Sequence, residues 1–289
     1  MTPVPEIAIS ANHGVFDLPE IVAIRDGLFE QAGLRVRFAE ADDTAFDPAE
    51  RDPIARRKEA LFEAEQADVF NLCEWGGIDR LERNRRHGRI AYLRPAVVAQ
   101  GLVSFAAELN EPHDLGGVEV GVNEFTGSHY TALHLLEGTL PRQEIRLRHI
   151  GAPRLRLAAV RSGEVPAAML MEPFLTLALE QGAHLLGSYF YRGSQVIAPG
   201  LGEHHRAAYI AAVDRAVDVI RAAPWRESAE LIAAETGGEL PPDRLGPAHI
   251  RYTRVERFTE KRFAESYAWM KSWGLTKGTS GYSSLLASR

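Results

Sequence analysis

The sequence predicts an α/β protein of two lobes, the second inserted into the first. Three observations predict it. Short runs of apolar or alternating residues are each followed by a small-residue corner and an amphipathic stretch, the signature of parallel β–α units. That style runs from Ile7 to Gly77 and recurs in a unit of about 90 residues beginning near Val118. Beyond Gly200 the chain reads almost wholly helical. Crossings near 96–101 and 187–195 then divide it into lobe 1, residues 1–96 plus 191–289, and lobe 2, residues 97–190. A cleft between lobes is the expected ligand site.

Ile7 and Ile9 mark the first strand, and "SANHGVF" turns out of it. "DLPE" has the spacing of a helix start, with Asp17 as cap, Pro19 in the first turn and Glu20 completing a capping box. Ile21, Ile24, Leu28 and Phe29 continue the helix to Gly33. "LRVRF" alternates as a half-buried strand. A polar loop over Asp42–Pro53 and a helix around Ile54–Gln66 lead to "DVFNLCEWGG", a buried strand with Cys73, Glu74 and Trp75 at its carboxyl end and Gly76-Gly77 allowing the next turn. "RIAYLRPAVVA" is a strand entering the first crossing. Strands at Val118–Val122, Ile145–Ile150 and "AAMLM" alternate with helices at Ser128–Glu137, Arg154–Arg161 and "EPFLTLALEQG", the last starting at Pro173 and stopping at Gly182. "GSYFYRGSQVIAPG" is a return strand. Tyr209, Val213, Ala216, Val217 and Ile220 form one late helical stripe; Phe263, Tyr267, Met270, Trp269 and Trp273 mark another.

The chain has 289 residues, of which 45% are hydrophobic and 25% charged, enough to bury a core without staples. A net charge of −6 argues against nucleic acid as partner. The one basic run, "DRLERNRRHGR", reads as a solvated helix face. The lone cysteine, Cys73, precludes an internal disulfide. Ten histidines without HExxH or paired Cys/His spacing give no metal site, and without Walker, GxGxxG or GxSxG patterns no cofactor is expected. No apolar run approaches the roughly 20 residues of a membrane span. "MTPVPEIAIS" has no signal core, so a cytoplasmic protein is expected if Met1 is the native start, and a periplasmic or extracellular one if a leader precedes it.

The leading candidate site is "VGVNEFTGSHYTALHLLEG", where a strand ends at the mouth of a helix. The first turn of a helix carries unpartnered N–H groups and about half a unit of positive charge. Backbone N–H groups over Gly127, Ser128, His129 and Tyr130, with the Ser128 hydroxyl and the His129 ring, form a seat for a carboxylate or sulfonate; ordinary capping by Thr126 or Ser128 is the bland alternative. Cys73 reads as a nucleophile or as a buried small hydrophobe, with Glu74 working against its thiolate. Glu74 and Glu172 read as an acid/base pair, as holders of an amine or hydroxyl, or, for Glu172, as a helix-dipole group. Phe16, Trp75 and Tyr191 suit stacking on a planar ring, or core packing. Asn12 and His13 lie in the first loop, and Arg80 and Arg192 are the arginines placed nearest the site.

"EIVAIRDGLFEQAGLRVRF", "FTGSHYTALHLLE", "RLRLAAVRSGEVPAAMLMEPFLTLALEQGA" and "FAESYAWMKSWGL" together resemble the nitrate/sulfonate/taurine substrate-binding family of ABC importers, from about Ile7 to Leu275. The resemblance implies the type II periplasmic-binding-protein fold, a Venus flytrap closing on a small organic anion, and an ABC permease as partner if the chain is exported. It also implies that "NHGVF", Cys73–Trp75, Gly127–Tyr130 and Glu172 face the ligand. The chain departs from the family in showing no export signal in "MTPVPEIAIS", and in carrying Cys73-Glu74-Trp75 where relatives usually have small apolar or hydroxyl residues. The fold is also similar to that of enzymes: thiamin pyrimidine precursor synthase, an aromatic desulfinase and chorismate-dehydrating enzymes. Binding of an organic anion is therefore the leading expectation. The alternative is a lyase, desulfinase or hydrolase in which Cys73 or Glu74 acts with help from His13.

Overall fold

The computed structural model describes residues 4–39, 53–83 and 86–287, with backbone alone for 53–57. Residues 42–52 of the expected polar loop, and Asn84 and Arg85 of the basic run, lie outside the described residues. In chain order the elements are β1 (Glu6–Ile9), α1 (Gly14–Arg25), α2 (Leu28–Gln31), β2 (Arg35–Phe38), α3 (Pro53–Glu63), β3 (Val69–Cys73), α4 (Glu74–Arg83) and β4 (Arg89–Ser104). There follow β5 (Glu119–Val122), α5 (Gly127–Glu137), β6 (Arg146–His149), α6 (Pro153–Ser162), β7 (Ala167–Leu170), α7 (Phe174–Glu180) and β8 (His184–Ile197). The remainder is α8 (Glu203–Ala222), α9 (Trp225–Ala233), β9 (Ile250–Tyr252), α10 (Glu260–Ser272) and α11 (Tyr282–Leu285).

The chain forms two compact units, one of residues 1–97, 192–224 and 252–289, the other of 98–191 and 225–251. The division differs from the expected one at 225–251. This helical stretch packs in unit 2, where the Trp225 indole donates to the Leu245 carbonyl at 2.6 Å, Arg154 meets Glu239 at 2.6 Å and Arg244 pairs with Glu180.

In unit 1, β1 pairs in parallel with β2 and β3, and β3 pairs antiparallel with β8, Val69 opposite Ile197 and Cys73 opposite Gly193. In unit 2, β5 runs parallel to β6 and β7, and β7 antiparallel to β4, Gly101 opposite Leu170. Leu102, Val120, Val122, Ala132, Leu136 and Met169 share one apolar cluster beneath α5. Burying side chains of this size stabilises by about 1.5–3 kcal/mol each before conformational entropy is subtracted.

Three local expectations are corrected. The first helix opens at Gly14 with His13 in the cap position, three residues before Asp17. Asp17 and Glu20 are buried instead of capping, and both face Arg94, whose guanidinium reaches Asp17 at 3.2 Å, Glu20 at 2.7 Å, the Phe16 carbonyl at 2.6 Å and Gln195 at 2.7 Å. Burial pushes the Glu20 carboxyl up to about 7 against the opposing pull of Arg94. The helix does not run on to Gly33: Gly27, at φ 66°, breaks it after Arg25. Gly76 and Gly77 sit inside α4, not in a turn before it. A Cβ on Gly77 would collide with the Ser194 hydroxyl, so the glycine lets α4 lie against β8.

Pro19 falls in the interior of α1, where it has no N–H for the carbonyl of residue 15. The Tyr252 hydroxyl takes that place, donating to the Val15 carbonyl at 2.8 Å. Tyr252→Phe is expected to lower unfolding free energy by about 1–2 kcal/mol. Urea denaturation measures it; an unchanged midpoint would contradict this role.

Candidate functional site

The β5–α5 corner in unit 2 is built by a short chain of hydrogen bonds. Thr126 stands in the N-cap position of α5 with extended backbone, yet no side-chain hydrogen bond caps the helix. Its hydroxyl donates backward to the Asn123 carbonyl at 2.8 Å. The Ser128 hydroxyl, fully buried, accepts from the Asn123 amide at 2.9 Å. Both groups able to cap α5 are thus turned onto the end of β5. The amides of His129 and Tyr130, expected in the seat, instead donate to the Thr126 carbonyl at 3.0 and 3.2 Å, so the open amides of the first turn are those of Gly127 and Ser128; the turn keeps its positive end, worth about 0.3–1 kcal/mol to an anion placed there, and up to about 2 when partly buried.

Gly127 opens the helix beneath Tyr191. A Cβ at this position would stand 2.5 Å from the Tyr191 hydroxyl and 2.8 Å from its ring carbon. Only glycine admits the phenol so close to the helix mouth, so the fold brings two expected ligand residues together. His129 accepts from the Phe125 amide at Nδ1, 3.0 Å away. Its remaining proton therefore sits on Nε2. Burial, and then the charge of His149, push His129 down to about 4, so at neutral pH it offers an N–H and no charge. Tyr130 is fully buried.

Glu172 lies beyond the end of β7 and is fully buried. Its carboxylate accepts from the Thr176 amide at 3.0 Å and the Thr176 hydroxyl at 2.8 Å, and meets His249 Nδ1 at 2.8 Å. Those partners place it in the frame of unit 2.

In unit 1 the other expected residues gather at the carboxyl ends of β1 and β3. The Asn12 amide donates to Asp17 at 2.5 Å, its side chain donates to Asn71, and Lys58 donates to Asn12 at 3.2 Å and to the Asn71 carbonyl at 3.1 Å. Phe16 is buried in α1, and Trp75 packs on Trp269 with ring centroids 6.0 Å apart. Glu74 accepts from Arg262 at 2.5 and 2.9 Å and from the Ser266 hydroxyl at 2.9 Å; burial raises its carboxyl while Arg262 pulls it down. Arg80 pairs with Glu59. Arg192 pairs with Glu256 and Thr253 and donates to the Arg254 carbonyl at 2.9 Å.

Cys73 is buried, and its sulfur accepts from the Gly76 amide at 3.3 Å. Burial pushes the thiol up to about 12, the Gly76 bond opposing and Glu74 adding to the rise. That is the opposite of what a nucleophile needs.

Sequence reasoning missed Lys58, Asn71 and Arg94. Its available signal was polarity out of place: Asn71 between Phe70 and Leu72, and Arg94 inside an apolar strand.

No protein-family model matches the chain, and no curated relative matches it. Solved structures do. The periplasmic aliphatic sulphonate binding protein SsuA of Escherichia coli is 17% identical, with a TM-score of 0.76 over 99% of this chain and 98% of that one. The alkanesulfonate-binding protein SsuA of Xanthomonas axonopodis pv. citri, bound to MOPS, is 16% identical, with a TM-score of 0.71 over 95% and 94%. A variant of DSZB in complex with biphenyl-2-sulfinic acid is 15% identical, with a TM-score of 0.62 over 99% and 97%. The chain has the fold of the periplasmic binding proteins of ABC importers, as the resemblance implied. Among the described residues no helix is long and apolar enough to cross a membrane.

Two outcomes are expected. Native Cys73 is alkylated by iodoacetamide at pH 8 at least about a thousandfold more slowly than free cysteine; a comparable rate, read by mass spectrometry, would contradict its burial. His129, held below its unfolded value of 6.5, binds its proton more weakly folded than unfolded. It contributes stability above that value, lost as pH falls from about 6.5 to 4. His129→Gln is therefore expected to lose less melting temperature across that window than the parent, and an equal or larger loss would contradict the assignment.

Proposed function

We propose that the chain is a solute-binding protein that captures a small organic anion, a sulfonate or carboxylate, at the mouth of α5. The observation that carries this reading is the uncapped first turn of α5 beside two hydroxyls that could cap it. Left in water, such a turn is ordinary. Here Gly127 lies under Tyr191, and charge-assisted N–H bonds to an anion are stronger than their neutral counterparts. The fold's sulfonate-binding neighbours support the class of ligand. Delivery to an ABC permease is part of the proposal for an exported form.

The alternative, chemistry at Cys73 or Glu74, draws support from the fold likeness to the desulfurization enzyme DSZB. The raised thiol and the Arg262 and Ser266 bonds to Glu74 weigh against it.

Thr126→Asp tests the seat. A carboxylate in the N-cap position accepts the first-turn amides itself, so the variant should be more stable by about 0.5–1 kcal/mol. It should also bind alkanesulfonates and aromatic carboxylates at least tenfold more weakly by calorimetry. A ligand that binds parent and variant alike would refute the seat.

A further inference from the structure

We propose that Gln100 is a specificity-determining residue of the α5 site, and that its amide oxygen accepts a hydrogen bond from an O–H or N–H carried by the bound acid. This inference rests on the α5 reading and adds to it. Gln100 is only 2% exposed. Its Oε1 is buried with no hydrogen-bond partner among the described residues. Buried amides without partners are rare, because the lost hydration is not returned.

The register says where the side chain points. Side chains alternate along a strand, so Gln100 shares the face of Leu102 while Gly101 faces the other way, onto Leu175 and Leu185. Leu102 belongs to the cluster that includes Ala132 and Leu136 of α5. β4 is antiparallel to β7, and β7 is parallel to β5. Moving from Leu102 to Gln100 therefore advances about 6.6 Å toward the carboxyl end of β5. On α5 that distance is a little over one turn toward its start, from Ala132 to Ser128. By this register Gln100 stands level with the first turn of α5, two strands across the sheet from β5, and the proposal turns its unsatisfied oxygen toward that turn. An acceptor there repels the head group itself, so what it meets is a donor two or three bonds away from it. The ligand class narrows to small acids with a hydroxyl or amine close to the anionic group.

The test compares 2-hydroxyethanesulfonate with ethanesulfonate by calorimetry on the full chain, before and after Gln100→Met, an apolar replacement of similar length. The parent is expected to prefer the hydroxylated acid by about tenfold. Gln100→Met should abolish that preference, leave ethanesulfonate affinity within about twofold, and keep or raise the melting temperature because an unpaired polar group is gone. Gln100→Leu, with the same expectation, covers a failure of the first variant to fold. A preference that survives substitution, an equal loss for both acids, or a parent that does not discriminate overturns the role of Gln100 while leaving the α5 seat standing. A parent that binds neither these acids nor any other sulfonate or carboxylate overturns the seat as well.

Discussion

The hydroxyls of Thr126 and Ser128 face backward onto Asn123, and the character of the α5 corner follows from that choice. A serine or threonine at a helix start ordinarily accepts from the amides ahead of it. Here Thr126 donates to the carbonyl behind it and Ser128 accepts from the amide behind it. The end of β5 is fastened, and the start of α5 keeps its partial charge. The neighbouring features fit that arrangement: glycine at 127 admits the Tyr191 phenol, and a neutral His129 holds the Phe125 amide.

Unit 1 is organised on the opposite principle. The charged groups at its candidate positions meet partners rather than standing open. Arg94 is fully buried among Asp17, Glu20 and Gln195, Glu74 lies against Arg262 and Ser266, and Arg192 against Glu256. Breaking one partner of the fully buried Arg94 set costs about 3–5 kcal/mol, because the other is left uncompensated; the Arg192–Glu256 pair, with Glu256 exposed, is worth much less. Charged residues that look available for a ligand in one dimension are in this unit part of the frame.

That contrast sets what was legible in the sequence. Local patterns were: alternation in "LRVRF", the strand–corner–helix at Val120–Gly138, and the glycine stop at Gly163 come from contacts a few residues apart. Pairings across long separations were not. Glu74 reads as an acid/base candidate until Arg262, 188 positions later, is seen to hold it. The capping spacing at Asp17–Glu20 is sound locally, but Arg94 draws both carboxylates into the interior and the helix begins three residues earlier. Residues 225–251 return to the second unit through contacts such as Arg244 with Glu180, which no periodicity reports. At the site, the glycine and serine were legible because a helix mouth is a local object. Gln100 was not, because the level it takes along the sheet depends on the register of β4 with β7.

The central claim is that the first-turn amides of α5 receive negative charge. Amide resonances of Gly127 and Ser128, followed by heteronuclear NMR as an alkanesulfonate is titrated to saturation, test it most directly. The account predicts that these two amide protons move downfield and show the largest shifts in the chain. Saturable binding that leaves both unmoved, with the perturbed amides elsewhere, would contradict it.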